Sequence, residues 1–217
     1  MIKLSKTKKL NARSWSLQAL TTCPASKDKD GELVAACKGC YATTGNYIRF
    51  DNVIEPRKHN QKDWKRSEWV ADMVQELDSD RYFRWFDSGD MYTLGLANKM
   101  LEVMKATPHC NHWLPTRMHK FSKFADVIAK MEALPNVVVR LSSDSVQGKT
   151  IEGEHTSTII PTPADAPVGA TVCETYANNG NCNGCRACWS KDVKTIAYPA
   201  HGVKMGKVIR LQLEVMA

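Results

Sequence analysis

Cys23, Cys37 and Cys40 near the start of the chain, and Cys173, Cys182, Cys185 and Cys188 near its end, are the residues with the most chemistry to offer. The first group closes on C-K-G-C-Y and the second on C-N-G-C-R-A-C. Thiolates two residues apart converge because the turn between them frees backbone N–H groups to face the sulfurs. Soft thiolate sets of this kind select zinc, copper(I) or iron–sulfur clusters. A C-x2-C-x2-C run with a fourth cysteine nearby is closer to the ferredoxin pattern than to a zinc finger, which supplies cysteines in two separated pairs. The expected cofactor is a 4Fe-4S cluster, with zinc as the alternative. All seven cysteines are candidate ligands.

Eight cysteines in 217 residues would also suit a disulfide framework, but that solution belongs to small secreted domains. The opening Met1-Ile2-Lys3-Leu4-Ser5-Lys6 carries no apolar run of signal-peptide length, and the chain is long enough to bury a core without staples. A cytoplasmic location is expected. Cys110 stands alone in P-H-C-N-H and reads as a small buried hydrophobe.

A second set of polar residues follows three short apolar runs. Asp87-Ser88-Gly89-Asp90 comes after Tyr82–Phe86, Thr116, Arg117 and His119 come after 112–116, and Ser142, Ser143 and Asp144 come after Val137–Leu141. Those runs are strand-like: Y-F-R-W-F is aromatic-rich, and V-V-V-R-L is apolar enough to be buried on both faces. Between them the spacing is helical. Val70, Met73, Val74 and Leu77 predict a helix over 58–78. Ala97, Met100, Leu101 and Met104 predict another, capped by Thr93, and Phe121, Phe124, Ala125 and Ile128 a third. Alternating strands and helices with short links imply parallel strands and right-handed crossovers. The expected fold is α/β: a parallel sheet, or a partial (βα) barrel because a full eight-fold barrel needs about 250 residues. The whole of 1–217 reads as one domain, with 170–190 as a small cysteine-rich lobe within it.

In such folds ligands bind at the carboxyl ends of strands, so Asp87, Ser88, Asp90, Arg117, His119 and, after a last strand over 194–198, His201 form a candidate catalytic set. Ser88 would be the nucleophile, a histidine the base and Asp87 or Asp90 its orienter, with Arg117 holding an oxyanion or a substrate carboxylate. The G-x-S-x-G elbow of serine hydrolases is absent.

Composition narrows the partners. The apolar content of 43% and charged content of 24% are those of an ordinary globular protein, and no stretch is apolar for long enough to span a membrane. The formal net charge of +7 permits contact with nucleic acid. The cations are scattered, however: Lys3, Lys6, Lys8, Lys9 and Arg13 in one group, Arg57, Lys58, Lys62, Lys65 and Arg66 in another. Neither group is interleaved with aromatics as in a recognisable binding module, and both read as solvated surface. A small-molecule substrate is the expected partner.

T-C-P-A-S, C-K-G-C-Y-A-T-T-G, R-W-F-D-S-G-D, P-T-R, L-S-S-D and C-N-G-C-R-A-C-W, in that order from about Leu17 to His201, resemble the phage-encoded "gene product 88" family. The resemblance implies a virus-encoded cytoplasmic protein with cysteines poised for an iron–sulfur cluster, and it implies no particular reaction. Three readings follow. A closed cluster leaves chemistry to side chains, and hydrolysis of an ester or acyl group around Ser88 and Asp90 leads. Three ligands from Cys23, Cys37 and Cys40 would leave one iron open, as in radical S-adenosylmethionine enzymes, although their C-x3-C-x2-C is here C-x13-C-x2-C. A non-catalytic protein binding nucleic acid or a host protein is the third.

Overall fold

The computed structural model of the chain describes residues 1–216. Eight strands make one sheet: β1 (Ser5–Thr7), β2 (Ala12–Trp15), β3 (Tyr82–Trp85), β4 (Asn111–Thr116), β5 (Val137–Ser142), β6 (Thr156–Ile160), β7 (Thr171–Val172) and β8 (Thr195–Pro199), in the order β1-β2-β3-β4-β5-β6-β8-β7. Only the β1–β2 pairing is antiparallel. From β2 to β6 the strands lie in chain order, and only at the far edge does the order reverse, β8 lying between β6 and β7. Right-handed crossovers then put the intervening helices on one face, the plan of a barrel left open. The α/β expectation is met.

The helices are α1 (Ala35–Lys38), α2 (Asn46–Arg49), α3 (Asp51–Asp63), α4 (Trp69–Glu76), α5 (Leu94–Ala106), α6 (Ala125–Glu132) and α7 (Val203–Met216). The single helix expected over 58–78 is two. The break follows Asp63, where Lys99 Nζ donates to the carbonyls of Trp64 (3.1 Å) and Arg66 (2.5 Å) and so ends α3. Thr93 caps α5 as its position predicts, its Oγ1 accepting from Leu96 N at 3.2 Å.

Alternation along the strands decides which face is the core. Trp15, Phe83, Trp85, Leu114, Val137 and Val139 point to α4, α5 and α6 and join Trp69, Met73, Met100, Met104 and Met131 in the main hydrophobic cluster. Cys110 is fully buried there, as a small hydrophobe should be. The residues between them, Arg84, Trp113 and Arg140, face the other way. Segment 170–190 does not stand apart as a lobe. Its β7 joins the sheet beside β8, and Trp189 packs with Leu10, Ala12 and Trp113 while its Nε1 donates to Phe83 O at 2.9 Å. Buried Arg140 holds the same segment by donating to the carbonyls of Ala187, Cys188, Ser190 and Val193 at 2.8–3.0 Å. Helix α7 closes one side, Met205 and Ile209 packing with Ala36 and Val146.

Candidate functional site

The strand face opposite the helices borders a cavity of about 520 Å³ that opens at the strands' carboxyl ends. That volume is in the range of small-molecule sites. Six of the eight cysteines contribute to its lining: Cys23, Cys37 and Cys40 from the segment after β2, and Cys173, Cys182 and Cys188 from the segment around and after β7. Cys185 is exposed and Cys110 is in the core, so neither belongs to it. All eight thiols are free.

The first cysteine group is seated by the strand ends. Leu17 N donates to Ser88 O (2.9 Å) and Asp90 N to Thr22 O (3.1 Å), which ties the segment before Cys23 to the turn after β3. Ala36 N donates to Asp144 O (3.0 Å), and Cys37 N and Lys38 N to Val34 O, so α1 presents its cysteine at the end of β5. Gly39, between Cys37 and Cys40, has no room for a side chain: a Cβ would lie 2.6 Å from the Met205 thioether sulfur on α7. Burial pushes the Cys23 thiol up to about 12, with the Asp90 carboxylate and the thiols of Cys37 and Cys40 adding to the rise. Burial also raises Cys37 and Cys40, against the pull of the Arg117 guanidinium. These three sulfurs therefore share one desolvated place in which a cation would be welcome. Among the described residues, no three His, Cys, Asp or Glu side chains are gathered tightly enough to hold a metal ion.

The Asp87-Ser88-Gly89-Asp90 turn is a wall of the same cavity. Phe86 enters it with φ +56° and Gly89 has φ +86°; a left-handed phenylalanine is a conformation the surroundings must enforce. A Cβ on Gly89 would fall 2.5 Å from Leu17 Cβ, so glycine is required both for its angle and for its bareness. Ser88 Oγ donates to Leu17 O (2.6 Å) and accepts from Arg57 Nε (2.8 Å). No hydrogen bond joins it to His119 or His201, and the nucleophile–base pair expected from the sequence is not assembled. Asp90 accepts from Met91 N (2.8 Å), Thr116 Oγ1 (2.7 Å) and Arg117 N (2.9 Å). Even so, burial raises its carboxyl above the ordinary range.

Asp87 is the hub of a charged network. Tyr47 OH (2.5 Å) and Arg57 Nη2 (3.0 Å) donate to Oδ2, Arg84 Nη1 (3.3 Å) donates to Oδ1, and Tyr41 OH donates to the Asp87 carbonyl. Burial alone would raise this carboxyl, but Arg84, Tyr47 and Arg57 outweigh it and hold it below the usual carboxylate range. Arg57 is 6% exposed and so is no part of the solvated basic surface its neighbours suggest. Tyr41, Tyr47, Arg57 and Arg84 are the site residues that sequence reasoning passed over. Arg84 had a signal, since period two in Y-F-R-W sets it opposite Phe83 and Trp85.

Arg117 lines the cavity but spends its guanidinium on Asp144 Oδ1 (3.2 Å) and Ser143 O (2.9 Å). His119 lies outside the cavity lining, its buried Nδ1 without a hydrogen-bond partner in the protein. His201 does line the cavity, its ring 3.9 Å from that of Tyr176 and stacked on Tyr41 at 6.3 Å between centroids. Burial lowers the His201 pKa, so the imidazole is neutral near pH 7.

Among the described residues no helix is long and apolar enough to cross a membrane. No curated protein and no solved structure matches the chain. A family model matches over residues 2–194, which takes in the strand-end turns and both cysteine groups, and the chain belongs to the Gene product 88 family of phage proteins.

Proposed function

We propose that the protein is an iron–sulfur enzyme in which Cys23, Cys37 and Cys40 would hold a 4Fe-4S cluster that supplies the electron for reductive cleavage of S-adenosylmethionine. The observation that carries the reading is the placing of these three desolvated thiols around one cavity, large enough for a small molecule, at the carboxyl ends of strands that run in chain order from β2 to β6. A single zinc ion needs its sulfurs within about 2.3 Å of one point. A 4Fe-4S cluster spreads its thiolates over several irons and better suits cysteines set around a space. Ser88 is engaged with Leu17 and Arg57, so hydrolysis lacks its base and its free nucleophile.

When bound, the cluster supplies one electron, taken from an external low-potential one-electron donor. Such an electron would serve reductive cleavage of the sulfonium C–S bond of S-adenosylmethionine, with methionine and, after hydrogen-atom transfer from the substrate, 5′-deoxyadenosine as the expected products. The chain's own residues bind and orient. Tyr176, His201 and Tyr41 offer a stacked face for a flat heterocycle. Ser142, Ser157 and Thr158 line the far wall with hydroxyls, and Asp87, held ionised by Arg57 and Arg84, fixes Tyr41 and Tyr47 in place. Ligation displaces the thiol protons, so cluster loading releases protons and strengthens as pH rises.

The test is an anaerobically loaded, chemically reduced sample given S-adenosylmethionine. We expect 5′-deoxyadenosine, and at least a tenfold loss when Cys37→Ala or Cys40→Ala is made. A fully loaded, reduced protein that forms none would overturn the reaction, and a folded, iron-free anaerobic preparation would overturn the cluster.

A further inference from the structure

The second cysteine group is built by different elements from the first. Cys173 follows β7, and its N–H donates to Ala197 O of β8 at 2.9 Å. Cys182 is fixed from the other end of the chain, its N–H donating to Lys9 O at 3.0 Å. The Sγ atoms of Cys173 and Cys182 lie 3.1 and 3.5 Å from one atom, Thr175 Oγ1, so the two sulfurs are no farther apart than the sum of those distances. Cys188 Sγ is 3.4 Å from the half-buried Tyr198 hydroxyl, and the Cys188 backbone is clamped by Arg140. Three free thiols from three points of the segment thus face the cavity, each on a braced piece of backbone.

An independent observation lies beside them. Arg84 Nε and Trp113 Nε1 are buried N–H donors with no hydrogen-bond partner in the protein, and both residues line the cavity. Trp113 is 5% exposed and belongs, with Leu10, Ala12 and Trp189, to the cluster against which Cys182 and Cys188 pack, while the Arg84 guanidinium sits over the Trp113 ring at 4.6 Å. A buried donor without an acceptor costs about 1–3 kcal/mol. Two of them against a thiol group mark a place where an acceptor-rich anionic group belongs. The sulfides and thiolates of an iron–sulfur cluster are such acceptors, and their negative charge would be met by Arg84.

We propose that Cys173, Cys182 and Cys188 hold a second, separate 4Fe-4S cluster, facing the same cavity as the first and receiving hydrogen bonds from Trp113 Nε1 and Arg84 Nε. Cys185, exposed and outside the cavity, is not a ligand. This extends the iron–sulfur reading without resting on the reaction assigned to the first group.

The test is iron and sulfide content with Mössbauer and EPR spectra of the anaerobically loaded full chain. Native protein is expected to hold about eight irons and each triple variant, C23A/C37A/C40A or C173A/C182A/C188A, about four. Cys185→Ala should hold the native amount. If either triple variant, still folded by circular dichroism, loses all iron, the two groups share one cluster and the proposal falls. If C173A/C182A/C188A keeps the native iron content, the second site falls while the first stands. If C23A/C37A/C40A keeps about four irons but the S-adenosylmethionine assay of the native protein fails, the second site stands without the first site's reaction. Should the triple variants not fold, Trp113→Phe serves: it removes one donated hydrogen bond and should shift the EPR signal of one of two clusters. An unchanged two-cluster spectrum, or a single-cluster spectrum in the native protein, would overturn the assignment.

Discussion

The two faces of the sheet bury very different things. On the helix side, Trp15, Phe83, Trp85, Leu114, Val137 and Val139 meet the methionines of α4, α5 and α6 in an apolar cluster, and the burial of that surface drives folding. On the cavity side the same strands carry Arg84, Trp113, Arg140 and Tyr198, groups that cost free energy to bury unless each is satisfied. Arg140 is satisfied by four carbonyls, whereas Arg84 is satisfied only in part, by Asp87 and Tyr41, its Nε finding no partner in the protein. The pleat therefore divides the labour. One residue in two holds the protein together, and the next positions a loop or faces the cavity.

The division breaks most visibly at Arg140. Arg140→Met keeps the length and the apolar stem but leaves the carbonyls of Ala187, Cys188, Ser190 and Val193 without their shared donor. We expect a loss of roughly 3–5 kcal/mol in denaturant unfolding, given about 1–3 kcal/mol for each unsatisfied buried group and partial rehydration. Amide exchange should rise first in 187–193 and much less in β3 and β4. Equal acceleration across the whole sheet would mean that Arg140 supports the core and not one segment.

How much of this division is legible in the sequence depends on what each residue's partners are. The helix side is readable because apolar periodicity reports burial directly: β3, β4, β5, α5 and its Thr93 cap all fall where the pattern puts them. The cavity at the strand ends is readable too, since the parallel topology dictates where polar turns collect. Arg140 is not. Within V-V-V-R-L it follows three β-branched residues, and only the distant carbonyls of 187–193 explain it. Arg57 is hidden for the same reason: four nearby cations on one helical stretch make it look solvated, and its partners Ser88 and Asp87 lie 31 and 30 residues away. The cysteine spacing raises the expectation of a soft-metal site. It says nothing of six thiols meeting at one cavity, because that follows from the chain's two ends crossing the same sheet face.

The helix side has a weak point of its own, and acid finds it. His112 is 1% exposed, accepts from Trp85 Nε1 at its Nδ1 (3.2 Å) and lies 2.9 Å from Thr107 Oγ1 at its Nε2. Because Thr107 Oγ1 donates to Val103 O (2.8 Å), it accepts from His112, and the ring is fixed as the neutral Nε2–H tautomer. Burial pushes its pKa down to about 3 from 6.5. The folded protein thus binds this proton more weakly than the unfolded chain, so stability is full above about pH 6.5 and falls as pH drops toward about 3. Thermal unfolding should show about 3 kcal/mol lost by about pH 4.5. His112→Gln should flatten that limb, and an acid limb as steep in the variant as in the native protein would assign the loss to other groups.

The smallest effect expected tests whether the cavity wall can move without the core. Gly89→Ala places a methyl 2.5 Å from Leu17 Cβ and 2.7 Å from Thr22 Oγ1, at a φ of +86° that alanine resists. About 2 kcal/mol is expected from the strain and the crowding together. Leu17 and Thr22 lead directly into Cys23, and Asp90 N bonds Thr22 O. The displacement should therefore reach the first cysteine group before it reaches Trp85. A stability loss of that size, with reduced iron retention at the cluster site proposed for the first group and unchanged near-ultraviolet signals from the tryptophan cluster, would show that the wall yields alone. A loss of the tryptophan signals would mean that the two faces are one cooperative unit, since Phe86, with its own left-handed backbone, packs at 5.9 Å on Trp15 and would carry the strain straight through the sheet.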